Sequence, residues 1–596
     1  MPRLSQLISC ETLTGLFDRT VVEHPDRAAV SDGQRELSYL ELSSRARALA
    51  AHLASQGVGI EDRVAINRPR SVDTFVSMIG ILQSGAAYVS VDERYPNARR
   101  DLMIRDSGAQ YVVTDPGGRE RLAHLEAEGI EIVEWLSEPV DAVTRFPVPG
   151  VRPNTAACVL FTSGSTGSPK SFVLEHGNMI AFACNPAMPA LSHTDRTSQI
   201  ASTSFDAFHY EVWFTFAAGA HLVVMPSMPE LLASDLQHEL QKREISVMIA
   251  PTMAFNHLAH EAPETFAGLR ILQVGGGAML PSACTSLLQS DFTGSLWNLY
   301  GPSETTTGCS VHHVERIHED EESVPIGRPL EGFMLYVLDG DRSPVPDGEM
   351  GELYIGGPGV ARGYIGEAAI RENRFLKDPF SRVDGRMYAS GDLVRRRPDG
   401  IYEYFGRIDE QVKIRGYRVE PGDVEITLAH HPQVHEVAVL VTGEDSDLRI
   451  DAFVAAAEGV TPKDVRDFAE AELPDYMIPS RIYVLAELPA NESGKRDRDV
   501  LRSMLDREQV RAAQHRPAQT ETEKYLAALW EKLLRLEAVG RGDDFFYLGG
   551  NSLLAFRVKR HIRRDVGVDV GFRTLTLHST LSDLAHVIDG LKTDAV

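Results

Sequence analysis

The sequence predicts three domains in order: a large α/β domain, a small α+β domain and a short all-helical domain. Two observations predict the first pair. Short β-rich runs alternate with longer amphipathic stretches up to about residue 405, and near Gly400 this pattern gives way to charges that alternate with apolar residues. A chain of 596 residues is also too long for a single hydrophobic core. Its apolar content of 43% and charged content of 24% are globular values.

The first domain is predicted to span residues 1–408. Its β-rich runs include VAI at 64–66, YVVT at 111–114, HLVVM at 221–225 and VMIA at 247–250. Amphipathic stretches of helix length separate the runs, so we expect βα units and a mainly parallel sheet. Glycine clusters follow several runs, at the edge where open α/β sheets bind their ligands.

The second domain is predicted at 409–505, joined to the first at Asp409. A polar linker at 506–518 follows it. The stretch DREQVRAAQHRPAQT lacks an apolar period, and it contains Pro517, a residue that stops helices.

The third domain, 519–596, begins with a helix. Thr520 and Glu523 have the spacing of a capping box. Apolar residues then recur at helical spacing: Leu526, Leu529, Trp530 and Leu533.

The charge balance argues against nucleic acid as a partner, and the lengths of the apolar runs argue against a membrane span. A net charge of −25 without a Lys/Arg stripe would repel a polyanion. No apolar run approaches the roughly 18 residues that span a bilayer, and the opening MPRLSQLISC has too short a hydrophobic segment for a secretory signal. The five cysteines are scattered without a CxxC pair. We therefore expect a cytoplasmic protein with reduced thiols.

A glycine-rich stretch, FTSGSTGSPK at 161–170, is suited to phosphate. Glycines let backbone N–H groups approach phosphate oxygens, and Ser and Thr hydroxyls add donors. The stretch differs from a Walker P-loop, because Gly164, Gly167 and Lys170 are spaced differently and Pro169 precedes the lysine.

This stretch is one of many motifs in an order typical of one family. The others are LSYLEL (37–42), LQSGAAYVSVD (82–92), SFDAF (204–208), NLYGPSETT (298–306), GELYIGGPGVARGYI (351–365), YASGDL (388–393), GRIDEQVKIRGYRVEPGDVE (406–425) and LPDYMIP (473–479). Together they resemble the adenylation domains of nonribosomal peptide synthetases, which are adenylate-forming enzymes. The resemblance implies that a carboxylate attacks the α-phosphate of ATP, forming an acyl-AMP and expelling pyrophosphate.

By this resemblance, residues 162–170 cover the β- and γ-phosphates, and Tyr300 stacks on adenine. Asp392 would hold the ribose hydroxyls with support from Arg407. Glu304 would bind Mg²⁺, a cation suited to carboxylate and phosphate oxygens. The residues implied in ATP or AMP binding are Thr162, Ser163, Gly164, Ser165, Thr166, Gly167, Lys170, Asn298, Tyr300, Gly301, Ser303, Glu304, Thr305, Asp392, Arg407 and Lys495.

Lys495 matches the family's catalytic lysine, which bridges the substrate carboxylate and the α-phosphate, and Lys170 is the second catalytic candidate. The local match departs from the family at Ser493, where Asn is usual. In the family the small domain rotates about the aspartate of GRxD. The resemblance therefore implies Asp409 as a hinge that withdraws Lys495 before thiolation.

The third domain carries DDFFYLGGNSLLAF at 543–556, which resembles the attachment site of four-helix carrier proteins. Ser552 would receive 4′-phosphopantetheine from a phosphopantetheinyl transferase. The following helix should bury Leu554, Val558 and Ile562, which recur at i, i+4 and i+8. Ser552 would then lie at a helix N terminus, where a phosphodiester is electrostatically favourable.

Asp206 matches the aspartate that pairs with the α-ammonium of amino-acid substrates. The resemblance places these residues around the substrate: Asp206, Ala207, Tyr210, Met248, Gln273, Gly275, Leu299, Thr307, Gly308 and Lys495. Gly275 and Gly308 should leave room for a side chain. The absence of a second acid disfavours basic substrates. A neutral, medium-to-large side chain is expected, with aromatic, amide and aliphatic members all open.

Two other functions are alternatives. An acyl- or aryl-CoA ligase would use free coenzyme A, and an inactive chain would be an interaction scaffold; Asp206 and Ser552 argue against the first. No condensation or thioesterase motif is found, so the amino acid should pass to a downstream synthetase module or a tailoring enzyme in secondary metabolism, such as antibiotic biosynthesis. A small MbtH-like helper protein is a further possible partner.

Overall fold

A computed structural model describes most of the chain. The described residues are 11–136, 150–163, 169–318, 321, 323–366, 373–382, 384–409, 411–414, 417–443, 448–457, 459–485, 487–489, 497–511, 517–534, 536, 538–546, 548, 550, 552–571, 574–575 and 578–593. They form two compact units. The first unit contains the chain up to Arg418 except residues 227–236. The second unit contains residues 227–236 and the chain from Val419 onward.

The strands are mostly short, as expected of βα units. They are β1 (Ala28–Ser31), β2 (Glu36–Ser38), β3 (Arg63–Asn67), β4 (Ala87–Ser90), β5 (Tyr111–Thr114), β6 (Glu131–Glu134), β7 (Ala156–Thr162), β8 (Lys170–Glu175), β9 (Arg196–Gln199), β10 (His221–Val224), β11 (Val247–Pro251), β12 (Ile271–Gly275), β13 (Ser295–Tyr300), β14 (Ser310–His313), β15 (Arg328–Pro329), β16 (Met334–Leu338), β17 (Met350–Gly356), β18 (Gly363–Tyr364), β19 (Phe375–Lys377), β20 (Arg386–Arg396), β21 (Tyr402–Arg407), β22 (Val412–Ile414), β23 (Tyr417–Val419), β24 (Val434–Thr442), β25 (Arg449–Ala456) and β26 (Arg481–Leu485). The four β-rich runs of the sequence are β3, β5, β10 and β11, so those predictions are confirmed.

The helices follow the strands in the βα pattern. They are α1 (Leu13–Glu23), α2 (Tyr39–Ser55), α3 (Val72–Ser84), α4 (Asn97–Ser107), α5 (Pro116–Leu122), α6 (His176–Ala183), α7 (Asp206–His209), α8 (Thr215–Ala217), α9 (Met228–Ala233), α10 (Leu236–Lys242), α11 (Thr252–Glu261), α12 (Pro281–Leu288), α13 (Pro421–Ala429), α14 (Pro462–Glu472), α15 (Arg498–Arg511), α16 (Glu521–Leu534), α17 (Ser552–Val566) and α18 (Leu581–Thr593). One turn of π-helix, Tyr210–Phe214, joins α7 to α8.

Two sheets of the first unit are mainly parallel, as predicted. One has the strand order β18-β8-β7-β4-β3-β5-β6, and the other β15-β14-β13-β12-β11-β9-β10-β1-β2. In the first of these sheets β7 and β8 are antiparallel, with Thr162 opposite Lys170. The glycine-rich stretch therefore connects two paired strands.

The third large sheet is antiparallel and was not foreseen from the sequence. Its order is β16-β17-β20-β19, and β21 pairs with β20. This pairing places Asp392 directly opposite Arg407. The sheet thereby brings together two residues that the sequence separates.

Aromatic side chains fill the core between the helices and sheets of the first unit. Phe17 of α1 and Phe75 of α3 lie against Phe216 of α8, with ring centroids 5.5 and 6.5 Å away. Every residue of α3 is buried. Burial of one such aromatic side chain is worth about 2 kcal/mol.

In the second unit, β24, β25 and β26 form a three-stranded sheet. Leu501 and Leu505 of α15 pack in one apolar cluster with Phe453 of β25. Helix α15 continues to Arg511, into the segment predicted as a linker. Arg, Glu and Gln are good helix formers, so the absence of an apolar period did not end the helix there.

Trp530 of α16 is fully buried, in an apolar cluster that includes residues of α17 and α18. The predicted capping box is confirmed: the N–H of Glu523 donates to Thr520 Oγ1 at 3.1 Å, and the Thr520 N–H donates to the Glu523 carboxylate at 3.3 Å. Val558 and Ile562 are buried and Leu554 packs beside them, as predicted. The described residues of this domain show these three long helices, and the expected fourth is not tested by them.

Among the residues that the structure describes, no helix combines the length and the apolar character needed to cross a lipid bilayer.

Candidate active site

The paired strands β7 and β8 hold both ends of the glycine-rich stretch. Thr162, Ser163 and Lys170 are all buried. Ser163 Oγ donates to the carbonyl oxygen of Arg418 at 3.0 Å. Thr162 Oγ1 has no hydrogen-bond partner among the described residues, so it is available to a bound anion. The other predicted phosphate-loop residues lie outside the described ranges: Gly164, Ser165, Thr166 and Gly167.

Asp392 is the centre of the predicted ribose site. Arg407 Nη1 donates to Asp392 Oδ1 at 2.6 Å, and the Tyr300 hydroxyl donates to the other carboxylate oxygen. The structure therefore joins these three predicted residues. Asn298 lies on the same strand as Tyr300, but its amide donates to the Pro325 carbonyl at 2.8 Å, which ties the strand to a neighbouring loop.

Asp409 follows β21 and is held by two guanidinium groups. Arg407 Nε and Nη2 donate to its carboxylate at 2.6 and 2.8 Å, and Arg374 Nη2 donates at 2.9 Å. Burial opposes ionisation of Asp409, but these cations outweigh it and lower its pKa to about 2. The predicted hinge residue is thus fixed by ion pairs in this conformation.

Glu304 is fully buried and has two partners. The Tyr364 hydroxyl donates to its Oε1 at 2.9 Å, and Arg418 Nη1 lies 2.8 Å from its Oε2. Burial alone would raise the pKa of Glu304, but the Arg418 charge and the hydrogen bonds lower it below its ordinary value. Glu304 is therefore a carboxylate anion.

The setting of Glu304 fits a magnesium ion that is shared with nucleotide phosphates. The described part of the chain holds no cluster of three His, Cys, Asp or Glu residues that could cage a metal. Magnesium is often bound through one or two carboxylates together with substrate phosphates. In this conformation Arg418 contacts Glu304 Oε2, so an ion there would compete with the guanidinium.

Asp206 begins helix α7 at the carboxyl end of the parallel strands. Ser303 Oγ donates to Asp206 Oδ2 at 2.5 Å, and Thr307 Oγ1 donates to the Asp206 carbonyl at 2.9 Å. Burial raises the pKa of Asp206, and the Ser303 hydroxyl opposes that shift. A cation beside Asp206 would relieve the cost of its burial.

The predicted side-chain pocket lies on one face of the nine-stranded sheet. Tyr210, Leu299 and Phe182 belong to one apolar cluster, which also includes Ile249. Ile249 is in register with Gln273, whereas Met248 is in register with Leu272. Because successive strand residues point to opposite faces, Ile249 and not Met248 lies on the same face as Gln273 of the predicted pocket.

The two glycines of the predicted pocket allow neighbouring atoms of other residues to lie close to their backbone. A Cβ built on Gly308 would lie 2.6 Å from Leu299 Cδ1 and 3.0 Å from Phe182 Cε2. A Cβ on Gly275 would lie 3.1 Å from the Leu299 carbonyl oxygen. Leu299 therefore takes up the room that Gly308 was expected to leave for a substrate. Ala207 is half-buried on α7, next to Asp206.

Two residues of the hairpin β22–β23 lie at the site without having been predicted there. Arg418 pairs with Glu304, and the half-buried Lys413 interacts electrostatically with both Asp392 and Asp206. Burial lowers the pKa of Lys413, and the two carboxylates oppose the shift. The alternation of Lys and Arg with apolar residues in VKIRGYRV was the available signal for a half-buried basic hairpin.

Two predicted residues are little described. Lys495 lies outside the described residues. Ser552 is the first residue of helix α17, the position expected for it, but its side chain is not among those described.

Sequence comparison defines the class of protein to which this fold and site belong. Residues 17–365 match the family described as AMP-binding enzyme, residues 423–495 its C-terminal domain and residues 524–588 the phosphopantetheine attachment site. The first match covers more than half of the chain. The chain therefore belongs to the AMP-binding enzyme family, and it joins an adenylation domain to a carrier domain.

Curated relatives match nearly all of this chain. Gramicidin S synthase 2 of Aneurinibacillus migulanus is 34% identical over 584 residues, which are 98% of this chain and 13% of that protein. Malpibaldin synthetase of Mortierella alpina is 37% identical over 577 residues, 96% of this chain and 10% of that protein. A dimodular nonribosomal peptide synthase of Bacillus subtilis is 34% identical over 590 residues, which are 97% of this chain and 24% of that protein. The chain thus spans a small part of these relatives.

Two solved structures share the fold. Holo-PA1221, an NRPS protein containing adenylation and PCP domains bound to a vinylsulfonamide inhibitor, has a TM-score of 0.83 at 24% identity and covers 98% of this chain and 97% of its own. NpsA-ThdA, an artificially fused adenylation-PCP didomain from Klebsiella oxytoca, has a TM-score of 0.72 at 23% identity. The match covers 98% of this chain and 100% of that one. The predicted order of a large α/β domain, a small subdomain and a helical carrier domain is confirmed.

Proposed function

We propose that this chain activates an α-amino acid as its aminoacyl-AMP and transfers it to the 4′-phosphopantetheine thiol on its own Ser552. One observation supports an amino acid as the substrate. Asp206 is a half-buried acid of the AMP-binding domain, and among the described residues Ser303 donates to its carboxylate while Lys413 interacts with it electrostatically without a hydrogen bond. An α-ammonium group is the cation that such a site would take.

In the first half-reaction the substrate carboxylate oxygen attacks the α-phosphorus of ATP, and the bond to pyrophosphate breaks. Asp206 would hold the ammonium group, Asp392 and Arg407 the ribose, and Thr162 with the rest of the glycine-rich stretch the phosphates. Lys495 would stabilise the charge that develops between carboxylate and phosphate. Mg²⁺, bound at Glu304, would neutralise phosphate charge.

In the second half-reaction the pantetheine thiolate attacks the acyl carbon and AMP leaves. The domain boundaries belong to this proposal: 1–408 is the adenylation core, 409–505 the mobile subdomain, 506–518 the linker and 519–596 the carrier. Rotation about Asp409 would move Lys495 out of the active site and let the pantetheine arm enter it.

The partners belong to the proposal as well. A phosphopantetheinyl transferase would modify Ser552, and a downstream synthetase module or tailoring enzyme would accept the amino acid. A small MbtH-like protein would assist folding. A cytoplasmic location would supply ATP and coenzyme A for these steps.

ATP–pyrophosphate exchange with a panel of amino acids, followed by intact mass of the pantetheinylated chain, tests the proposal. We expect exchange with one class of amino acid and an aminoacyl mass gain on the carrier. Ser552→Ala should keep exchange and lose the mass gain, whereas Lys495→Ala should lose exchange by about 100-fold or more.

The alternatives predict other results in the same assays. Release of an acyl-CoA from free coenzyme A, unchanged in Ser552→Ala, would identify a CoA ligase. Absence of exchange with every amino acid would leave an inactive interaction scaffold.

A further inference from the structure

Gln273 has an unusual environment for a buried amide. It lies in the middle of β12 and is fully buried, yet neither its Oε1 nor its Nε2 has a hydrogen-bond partner among the described residues. An unpaired polar group in a protein interior destabilises the fold, because it has lost its hydrogen bonds to water without replacing them. One donor and one acceptor at the same position are thus left for something else to bind.

Strand register shows which way Gln273 points. Its neighbour across the sheet is Ile249 on one side, and residues in register lie on the same face. Gly275, two residues later on β12, is in register with Leu299 and shares that face. Ile249 and Leu299 both belong to the apolar cluster of the predicted substrate pocket. Gln273 therefore faces the pocket.

Tyr210 adds a second unpaired polar group to this pocket. Its ring stacks on Phe214 at 5.0 Å and meets Phe182 edge-on at 5.8 Å, so its position is fixed by packing. Its hydroxyl is buried and has no partner among the described residues. By contrast, the hydroxyls of Ser303 and Thr307 already donate to Asp206.

The chemistry of these groups selects among neutral side chains. An apolar substrate would leave the Gln273 amide and the Tyr210 hydroxyl unpaired, and a carboxylate would leave Gln273 Oε1 without a donor. A carboxamide satisfies both Gln273 atoms at once, because its NH₂ donates to Oε1 while its carbonyl accepts from Nε2. The second lone pair of that carbonyl can accept from Tyr210.

We infer that the amino acid activated here has a side chain that ends in a carboxamide, with Gln273 as its recognition residue and Tyr210 as a second donor. The inference rests on the proposed amino-acid activation. Asparagine and glutamine share this chemistry and are separate arms of the test.

The experiment is ATP–pyrophosphate exchange by the full chain with two matched pairs of substrates: asparagine with leucine, and glutamine with methionine. The members of each pair are similar in size and differ in the amide. We expect the amide member of one pair to have a kcat/KM about 100-fold or more above its partner, because a site built to bind a polar group rejects an analogue that lacks it. Serine, tyrosine, aspartate and glutamate complete the panel.

Two variants assign the preference to the named residues. Gln273→Leu should remove most of the preference for the amide by lowering its kcat/KM about 100-fold, and Tyr210→Phe should lower it about tenfold. Gln83→Leu is the matched control, since Gln83 is a buried glutamine of α3 whose Oε1 also lacks a partner. It should leave the order of substrates unchanged.

The outcomes separate the inference from the proposed function. A preference for an apolar, hydroxylated or charged substrate overturns the inference while amino-acid activation stands. An amide preference that survives in both Gln273→Leu and Tyr210→Phe also overturns it. If Gln273→Leu does not fold, Tyr210→Phe alone decides. Absence of exchange with every amino acid overturns the proposed function itself.

Discussion

At the scale of single residues, the buried carboxylate of Glu304 depends on a residue far along the chain. Arg418 supplies the positive charge that makes burial of this anion tolerable, and Tyr364 satisfies the other oxygen. Removing one member of a buried ion pair is costly because the other is left uncompensated. The pair therefore contributes to stability as well as to the site.

A double-mutant cycle measures this coupling. Arg418→Met should lower the free energy of unfolding by about 3 kcal/mol, because Glu304 remains buried without its cation. Combining it with Glu304→Gln should cost less than the sum of the two single changes, by about 2 kcal/mol. Urea unfolding followed by tryptophan fluorescence gives the four values. Strict additivity would contradict the coupling.

At the scale of elements, the segment from β21 to β23 brings three functions together. Asp409 is tied to Arg407 and Arg374, Arg418 reaches Glu304, and the ring of Tyr417 lies 4.7 Å from that of Phe205, next to Asp206. In this conformation Arg418 of the hairpin contacts the proposed metal residue Glu304, Tyr417 of the hairpin lies beside the proposed substrate position, and Asp409 before the hairpin is tied to Arg407. The proposed rotation about Asp409 would break the contacts of Arg418 and Tyr417, which follow the pivot in the chain.

Substitution at the hinge tests that role. Asp409→Pro fixes the backbone φ, so thiolation should fall about 100-fold while pyrophosphate exchange falls only about threefold. Asp409→Ala removes the same carboxylate without fixing φ, and it should slow thiolation much less. Single-turnover transfer to the carrier and exchange are measured on the same preparation. Equal losses in both assays for Asp409→Pro would rule out a hinge at this residue.

At the scale of the whole molecule, buried histidines make folding stability depend on pH. Burial lowers the pKa of His176 to about 4, of His209 to about 3 and of His221 to about 4. In the unfolded chain these groups titrate near 6.5. Since the unfolded state then binds protons more readily at these three sites, their contribution to stability is complete above pH 6.5 and falls as the pH drops towards 4.

Replacement of one buried histidine should reduce that dependence. His176 Nδ1 accepts from the Leu13 N–H at 3.2 Å, and the oxygen of His176→Asn can take over that bond without titrating. Between pH 7.5 and 5.0 the wild-type chain should lose about 2 kcal/mol more than this variant. Urea midpoints at both pH values give the comparison. His238→Asn, at an exposed position, is the control and should behave as the wild type.

The amino-acid sequence by itself determined the features that depend on near neighbours. Local patterns predicted the runs that became β3, β5, β10 and β11, the capping box of Thr520 and Glu523, and the buried face of α17. The patterns are periods of two and 3.6 residues and a capping pair three positions apart. The ordered motifs also predicted Asp206, Asp392 and Arg407 as site residues, and the structure joins the last two by a hydrogen bond.

Only the tertiary structure decided which distant groups meet. The pairing of Glu304 with Arg418 joins residues 114 positions apart. The choice of Ile249 over Met248 depends on the register between β11 and β12, where a shift of one residue exchanges the two faces of a strand. The unpaired amide of Gln273 is likewise visible only after every neighbour has been placed. Long-range packing selects such contacts, and no local pattern in the sequence encodes them.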